Sequence, residues 1–459
     1  MKAIFKSLVG NTIIFAIGNG VSVILAFAMV PFYTKMLSPS DFGTSDIITT
    51  TVAMLVPLAS LNIFAAVFRY ALDNHDQQKV FTNSLLVSSV GAGVALSVSA
   101  ICQLFQIPFA LFTGVYIAIT IFMTLTQNFV RGIDHVKSFA ISGVIATITN
   151  ILSNLVLMWV FKLGLHGYLY SLVISATVTL VYLVFANRLH QYFKIDKVSR
   201  AYTKELLTFA VPMIPNSFAW WLTNDANKLI ILMFLGPGAN GILAVANKIP
   251  NMVTTLFGMF ANAWQISAVK TNGDDDANAS KVYSTTFNSV FGLMLVGCGF
   301  IVLIIKWFMN FYVGEHFYQA WTLIPILLLT AVFSNASAFL GTTYLVAKKT
   351  NGLITTTVWG MLVNTGLCLL LVPLIGLNGA GLAGAIGFLC VSALRFKQTQ
   401  QFVPFNIDFK QFSGLLIAYV GLSVSVATAH VALAIICFVG MCAIFGNAIM
   451  KTIASHRKN

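Results

Sequence analysis

Charge is what this 459-residue sequence has least of. Asp, Glu, Lys and Arg make up 8% of it while hydrophobic residues make up 58%, against roughly 25% charged in an ordinary soluble domain. So much apolar side chain cannot be hidden in one aqueous core, which excludes a soluble globular protein. Long polar stretches are also missing, so no extramembrane catalytic domain has a place to sit. Acids are the scarcer sign, 13 against 26 basic residues, for a formal net charge of +13. In a soluble protein that surplus would sit on one face and point to nucleic acid. Here it is spread through short gaps between apolar stretches, and no nucleic-acid partner is expected. The six cysteines, Cys102, Cys298, Cys368, Cys390, Cys437 and Cys442, all lie in apolar stretches, without a C-x-x-C pair or a nearby histidine cluster. They read as small core hydrophobes, implying neither disulfide nor zinc.

Motifs for nucleotides and metals are absent or fail on context. No G-x-x-x-x-G-K-[ST] occurs, so ATP hydrolysis is not expected. Gly379-Ala-Gly-Leu-Ala-Gly384 matches G-x-G-x-x-G, but that fingerprint needs a preceding strand in a βαβ unit. Here it opens an apolar span, where small residues serve close helix packing. The Asp274-Asp-Asp276 run beside Lys270 and Lys281 has too few ligands for a calcium loop and reads as a solvated turn. No cofactor or metal, and no enzymatic activity, is expected.

What is present is a series of long apolar runs. A bilayer core about 30 Å thick needs about 20 apolar residues per helix. Fourteen stretches qualify: 8–34, 43–68, 80–104, 109–130, 139–161, 167–187, 206–235, 239–267, 283–305, 320–347, 352–374, 378–394, 411–429 and 431–450. The fold class is therefore all-α, a polytopic membrane protein of about 14 transmembrane helices. The first run continues as a full span rather than ending at a small-residue cleavage site, so the N-terminus is expected to be retained. If it lies inside, 21 of the 26 Lys and Arg fall in inner segments and three (Lys35, Lys162, Lys306) in outer ones. Short cytoplasmic loops carry that excess. Both termini are expected in the cytoplasm, with an even number of spans.

Two turn motifs recur in the same order. Leu37-Ser-Pro-Ser-Asp-Phe-Gly43 and Leu235-Gly-Pro-Gly-Ala-Asn-Gly241 share Leu-x-Pro-x-x-x-Gly, and Gly164-Leu-His-Gly167 pairs with Gly376-Leu-Asn-Gly379. Their nearly equal offsets suggest two parallel six-helix repeats, an architecture that places a substrate path at the repeat interface. The expected organisation is an N-terminal lobe at 1–187, a charged cytoplasmic linker at 188–205, a C-terminal lobe at 206–398, and two further spans with a basic tail at 399–459.

Ionisable groups at membrane depth are costly and mark function by default. Asp225 and Lys228 in the seventh stretch and Lys248 in the eighth are such groups, accompanied by Asn224, Asn227, Asn247 and Asn251. Lys228 lies eight residues before the Gly236-Pro-Gly238 turn and Lys248 ten after it, roughly 12 to 15 Å deep at about 1.5 Å per residue. Asp225 and Lys228 share a helix face. Two readings fit: a cationic floor under an anionic headgroup in a central cavity, or an internal ion pair that locks helix packing. Pro212 and Pro215 interrupt the seventh stretch, as a flexing element or as a static kink. Arg69 and Arg131, at the inner ends of the second and fourth stretches, either gather anionic headgroups at the cytoplasmic mouth or act as positive-inside anchors. Lys348, Lys349 and the 188–204 cluster read as anchors of the latter kind.

The residues also carry a family likeness. Asn-Thr at 11–12, Phe32-Tyr-Thr-Lys-Met-Leu-Ser-Pro-Ser-Asp-Phe-Gly43, Phe68-Arg-Tyr70, Asn227-Lys-Leu-Ile-Ile-Leu-Met-Phe-Leu-Gly236, and Asn364 followed by Leu371-Val-Pro-Leu-Ile-Gly-Leu-Asn-Gly-Ala380 together resemble the Wzx-type polysaccharide flippases. These belong to the multidrug/oligosaccharidyl-lipid/polysaccharide (MOP) exporter superfamily. The resemblance covers nearly the whole chain, although each motif is loose. It implies two six-helix lobes with two extra C-terminal helices, and alternating access. It also implies transfer of undecaprenyl-diphosphate-linked oligosaccharide between leaflets for cell-surface polysaccharide, in contact with membrane lipids and the polysaccharide polymerase machinery. Outward movement of the diphosphate is favoured by an inside-negative potential, with H+ or Na+ coupling through Asp225 as a further or alternative source. A drug or organic-cation extruder of the same superfamily is the nearest rival, but would be expected to carry acids rather than two lysines in its cavity. A membrane-embedded polymerase or acyltransferase is the rival from another class.

Overall fold

In hydrocarbon every backbone N–H and C=O must be satisfied within the protein, which leaves helices as the solution for separate apolar runs. The computed structural model describes residues 23–72, 76–271, 276–347 and 351–457, and they are helical almost throughout, with no strand among them. Among the described residues, twelve helices of at least 18 residues are apolar enough to cross a membrane, so this is a multi-pass membrane protein. The first apolar stretch is described only from residue 23, where a helical segment leads into α1 (Val30–Met36). Asn11, Thr12, Lys348, Lys349, Asp274 and Asp275 lie outside the described residues.

The remaining stretches follow in order as α2 (Pro39–Ala59), α3 (Ile63–Leu72), α4 (Gln77–Leu104), α5 (Ala110–Gly132), α6 (Val136–Asn154), α7 (Gly164–Ala186), α8 (Arg200–Ala210), α9 (Ile214–Ala246), α10 (Lys248–Thr271), α11 (Asp276–Tyr312), α12 (Ile324–Val346), α13 (Asn351–Ile375), α14 (Leu377–Thr399), α15 (Phe409–Ala427) and α16 (Val431–Arg457). The division into two compact units falls between Ala226 and Asn227, inside α9.

Three apolar stretches are less regular than their hydropathy suggests. The second is two helices: α2 carries Pro57 in its last turn, and the chain then turns through Leu61 and Asn62 at φ 51° and 52°. The Asn62 amide closes the turn by donating to the Pro57 carbonyl at 2.7 Å. The fifth ends in a six-residue π-helix, Leu155–Val160. In the seventh, Val211–Met213 forms a 3-10 turn between α8 and α9, and α9 breaks at Gly236, φ 79°.

The recurring turn motifs do matching local work. Ser38 caps α2 in a capping box with Asp41, with Pro39 in the first turn. Gly236 breaks the second unit's helix just before Pro237. Pro is suited to a helix start, where its missing N–H is not needed. Gly164 and Gly376 open α7 and α14 at φ 51° and 63°, and a Cβ on Gly167 would meet the Leu157 carbonyl at 3.1 Å. A Cβ on Gly379 would likewise run into the Leu371 carbonyl. Each glycine lets its helix close against the one before it.

Candidate functional site

In the first unit a polar network crosses helices at membrane depth. Asn150 and Asn154 sit one turn apart on α6, so both face the same way. The Asn154 amide donates to the Tyr33 hydroxyl and to Asn150 Oδ1, both at 3.1 Å. Asn150 Nδ2 donates to Ser171 Oγ on α7 at 3.4 Å. Tyr33 also meets Tyr168 edge to face at 5.1 Å. Asn154 and Ser171 are fully buried, and Asn154 Oδ1 has no hydrogen-bond partner among the described residues. Asp46 on α2 is half-buried and engaged by neighbours. Sequence reading passed over this network, although the i,i+4 asparagines in an apolar run are the same signal that singled out the seventh stretch.

Arg69 and Arg131 stand on adjacent helix ends. The Arg131 guanidinium lies 4.4 Å from the Phe68 ring centroid, and a Cβ on Gly132 would meet Ala71 Cβ at 2.8 Å. Both arginines are exposed. Asp225 is half-buried near the end of this unit and is engaged by a neighbour; the side chain of Asn224 lies outside the described residues. Earlier in α9, the Trp221 indole donates to the Thr50 carbonyl at 3.1 Å. Pro212 lies in the 3-10 turn and Pro215 in the first turn of α9, so both prolines are accommodated at a helix junction rather than in mid-helix.

The second unit differs in charge. Lys228 on α9 and Lys248 at the start of α10 are half-buried and engaged by neighbours. Asn227 and Asn364 exchange reciprocal amide hydrogen bonds at 3.2 and 3.3 Å, and Gly387 makes room, since a Cβ there would meet Asn364 Cβ at 2.8 Å. Asn247 is the turn between α9 and α10 and Asn251 is exposed one turn later. α10 is 24 residues long and carries Lys248, Asn251, Thr254, Thr255, Asn262 and Gln265 along its length.

Arg395 stands near the end of α14, yet it is buried, at 8% exposure. Its Nε donates to Thr356 Oγ1 at 3.1 Å and its Nη2 to Thr357 Oγ1 at 2.9 Å. Nη1 reaches the Ser337 carbonyl and hydroxyl at 2.7 and 2.9 Å. One guanidinium thus ties α12, α13 and α14 through neutral acceptors. Below it, Trp264 stacks on Phe339 at 4.8 Å and donates to Thr342 at 3.1 Å. Residues 400–408 add Phe405, at 1% exposure, to this aromatic core. Their backbone bonds to Asn288 and Ser284 hold the approach to α15.

Polar groups at membrane depth in both units set this helical membrane protein apart from a plain apolar bundle, and the comparisons give its family. The chain belongs to the polysaccharide biosynthesis protein family, whose model matches residues 8–266. Its fold is that of the MOP superfamily. One similar structure, described as lipid II flippase MurJ in an inward closed conformation, superposes with a TM-score of 0.68 at 13% identity over 95% of this chain and 100% of that one. Another, an inward-facing multidrug resistance MATE family transporter, gives 0.67 at 14% identity over 83% and 94%. A third, a MOP superfamily transporter from Pyrococcus furiosus described as having a binding pocket of reverse polarity, gives 0.59 at 16% identity over 87% and 95%. No curated protein matches the sequence.

Proposed function

We propose that the chain is a flippase that carries undecaprenyl-diphosphate-linked oligosaccharide repeat units from the cytoplasmic to the outer leaflet of a bacterial inner membrane, by alternating access, for surface polysaccharide assembly. The observation that carries this reading is the match of a transporter fold to a polysaccharide-biosynthesis family. Lys228 and Lys248 supply the charge logic: an ammonium kept at membrane depth needs an anion or water beside it, and a diphosphate headgroup is such an anion. Asn227, Asn247 and Asn251 offer hydrogen bonds to the same headgroup, and Asn224 is assigned with them. Arg69 and Arg131 gather that headgroup at the cytoplasmic mouth. The short charged segments flanking the spans set both termini in the cytoplasm, and the inside-negative potential drives the anion outward, with Asp225 the candidate for H+ or Na+ coupling. A polymerase acting at the outer leaflet is the natural consumer of the product.

The fold alone does not separate this reading from a MATE-like cation extruder, since both kinds of neighbour superpose equally well. The family and the sign of the charges favour the flippase. In cells lacking the protein, lipid-linked repeats should accumulate in the cytoplasmic leaflet and a surface polymer should be lost. Persistence of the polymer together with heightened sensitivity to cationic dyes would replace the flippase with the extruder.

A further inference from the structure

The segment after α7 mixes two kinds of side chain that a solvated linker has no use for together. Arg188, Lys194, Lys197, Arg200 and Lys204 outnumber Asp196 and Glu205, and Phe193, Ile195 and Val198 stand among them. The segment is also fixed in place. Gln78 donates to the Gln191 carbonyl at 3.3 Å, and Thr82 bonds the Tyr192 carbonyl and the Lys194 amide at 3.2 and 3.0 Å. Asn83, fully buried, spans the next stretch: its amide donates to the Lys197 carbonyl at 3.0 Å, and its oxygen accepts from the Ser199 amide and the Thr203 hydroxyl at 2.9 and 3.0 Å. Lys197 pairs with Asp76 at 2.7 Å. Leu189 and Tyr202 turn inward, at 1% and 8% exposure, whereas Ile195 and Val198 are left 75% and 47% exposed.

The hydrogen-bond register sets the depth. α4 begins at Gln77, and Asn83 lies six residues further, about 9 Å along the axis. From Val80 onward that helix is in its apolar run. Residues 195–199 are therefore held beside the start of the apolar run of α4, with Ile195 and Val198 exposed at that height. Lys194, Arg200 and Lys204, all exposed, add cations to the same short segment. Apolar insertion combined with clustered cations is the chemistry of an anionic membrane surface.

We propose that residues 193–204 form an interfacial anchor seating the first unit on anionic phospholipid headgroups of the leaflet at its basic end. Ile195 and Val198 enter the acyl boundary while Lys194, Arg200 and Lys204 meet the phosphates. The anchor is independent of what the protein transports. It is tested on the full chain with its six cysteines replaced by alanine, a nitroxide on Ile195→Cys or Val198→Cys, and reconstitution in nanodiscs of phosphatidylcholine alone or mixed with phosphatidylglycerol. Both sites are exposed, so labelling disturbs no packing. With phosphatidylglycerol present, the label should collide with oxygen in preference to a water-soluble nickel chelate. Each of Lys194→Gln, Arg200→Gln and Lys204→Gln should lower the lipid-shielded population about fivefold. A label that is water-accessible in both lipids, or equally shielded in both and indifferent to the glutamines, overturns the anchor. Should the cysteine-free chain misfold, hydrogen exchange of residues 193–199 in the unmodified protein decides the same question: slower exchange with phosphatidylglycerol supports the anchor, and equal rates refute it.

Discussion

The two units share turn chemistry but not charge. In the first, the polar groups at membrane depth are neutral or acidic: Tyr33, Asn150, Asn154 and Ser171 in one network, with Asp46 and Asp225 half-buried on α2 and α9. In the second, cations join neutral amides such as Asn227 and Asn364, with Lys228 and Lys248 half-buried and Arg395 buried against neutral acceptors. Leu-x-Pro turns and close-packing glycines recur in both because they serve the helix hairpins themselves. Under the proposed flippase reading, anion recognition falls to the second unit, and the first is left for packing or for cation coupling.

The largest expected effect comes from removing that positive charge. Lys228→Gln and Lys248→Gln keep polarity and should reach the membrane in normal amounts yet fail to restore surface polymer. The arginine versions should restore part of it, with some loss because the guanidinium is larger and planar. Immunoblots of membranes beside polymer assays separate the two outcomes; normal polymer from both glutamine variants would place the diphosphate elsewhere, with Arg69 and Arg131 next to test.

Asp225→Asn sharpens the comparison from the other side. An ion-coupling carboxylate predicts normal abundance with lowered transport, and a carboxylate that only neutralises a lysine predicts lowered abundance. Asn154→Ala addresses the first unit's network. It removes the amide's bonds to the Tyr33 hydroxyl and to the Asn150 carbonyl and Oδ1, worth about 1 to 2 kcal/mol together at membrane values, so melting in detergent should fall by a few degrees with transport largely retained. Loss of transport at unchanged melting temperature would break the division of roles between the units.

The smallest effect concerns the clamp on residues 191–203. The Lys197 ammonium donates to Asp76 and holds its carboxyl below the usual carboxylate range, while Asp76 raises Lys197. A lowered carboxylate contributes stability that is present above its unfolded pKa and lost as pH falls through the folded one. A raised lysine contributes stability that is lost only as pH rises past its folded value. The pair should therefore hold between about pH 5 and pH 10 and loosen on either side, weakly, because both groups are well exposed to solvent. Hydrogen-exchange protection of the clamp, corrected for the intrinsic rate, should be lower in Asp76→Asn and independent of acid pH, which checks this.

Much of the fold was legible because hydropathy and backbone satisfaction act on whole spans. The runs at 80–104, 109–130 and 352–374 became α4, α5 and α13 within a few residues. Local irregularities were not legible. Hydropathy is blind to φ, so the Leu61–Asn62 break inside an apolar stretch and the π-turn after Asn154 left no trace. The setting of Arg395 was illegible for a related reason: position beside a span end says nothing of whether the side chain turns outward or, as here, back into Ser337, Thr356 and Thr357. The i,i+4 pair Asn150 and Asn154 was available to the same reasoning that found Asn224 and Asn227, and was missed because it carries no charge.

The most direct test uses the purified chain in liposomes containing a fluorescent polyprenyl-diphosphate oligosaccharide, with a membrane-impermeant quencher outside. The wild-type chain should expose the inner-leaflet pool to quenching, Lys228→Arg/Lys248→Arg should do so more slowly, and Lys228→Gln/Lys248→Gln should leave that pool protected. Equal exposure by the wild-type and double-glutamine chains would contradict the assignment of the diphosphate to the lysines, and protection of the pool in all of them would contradict the flippase itself.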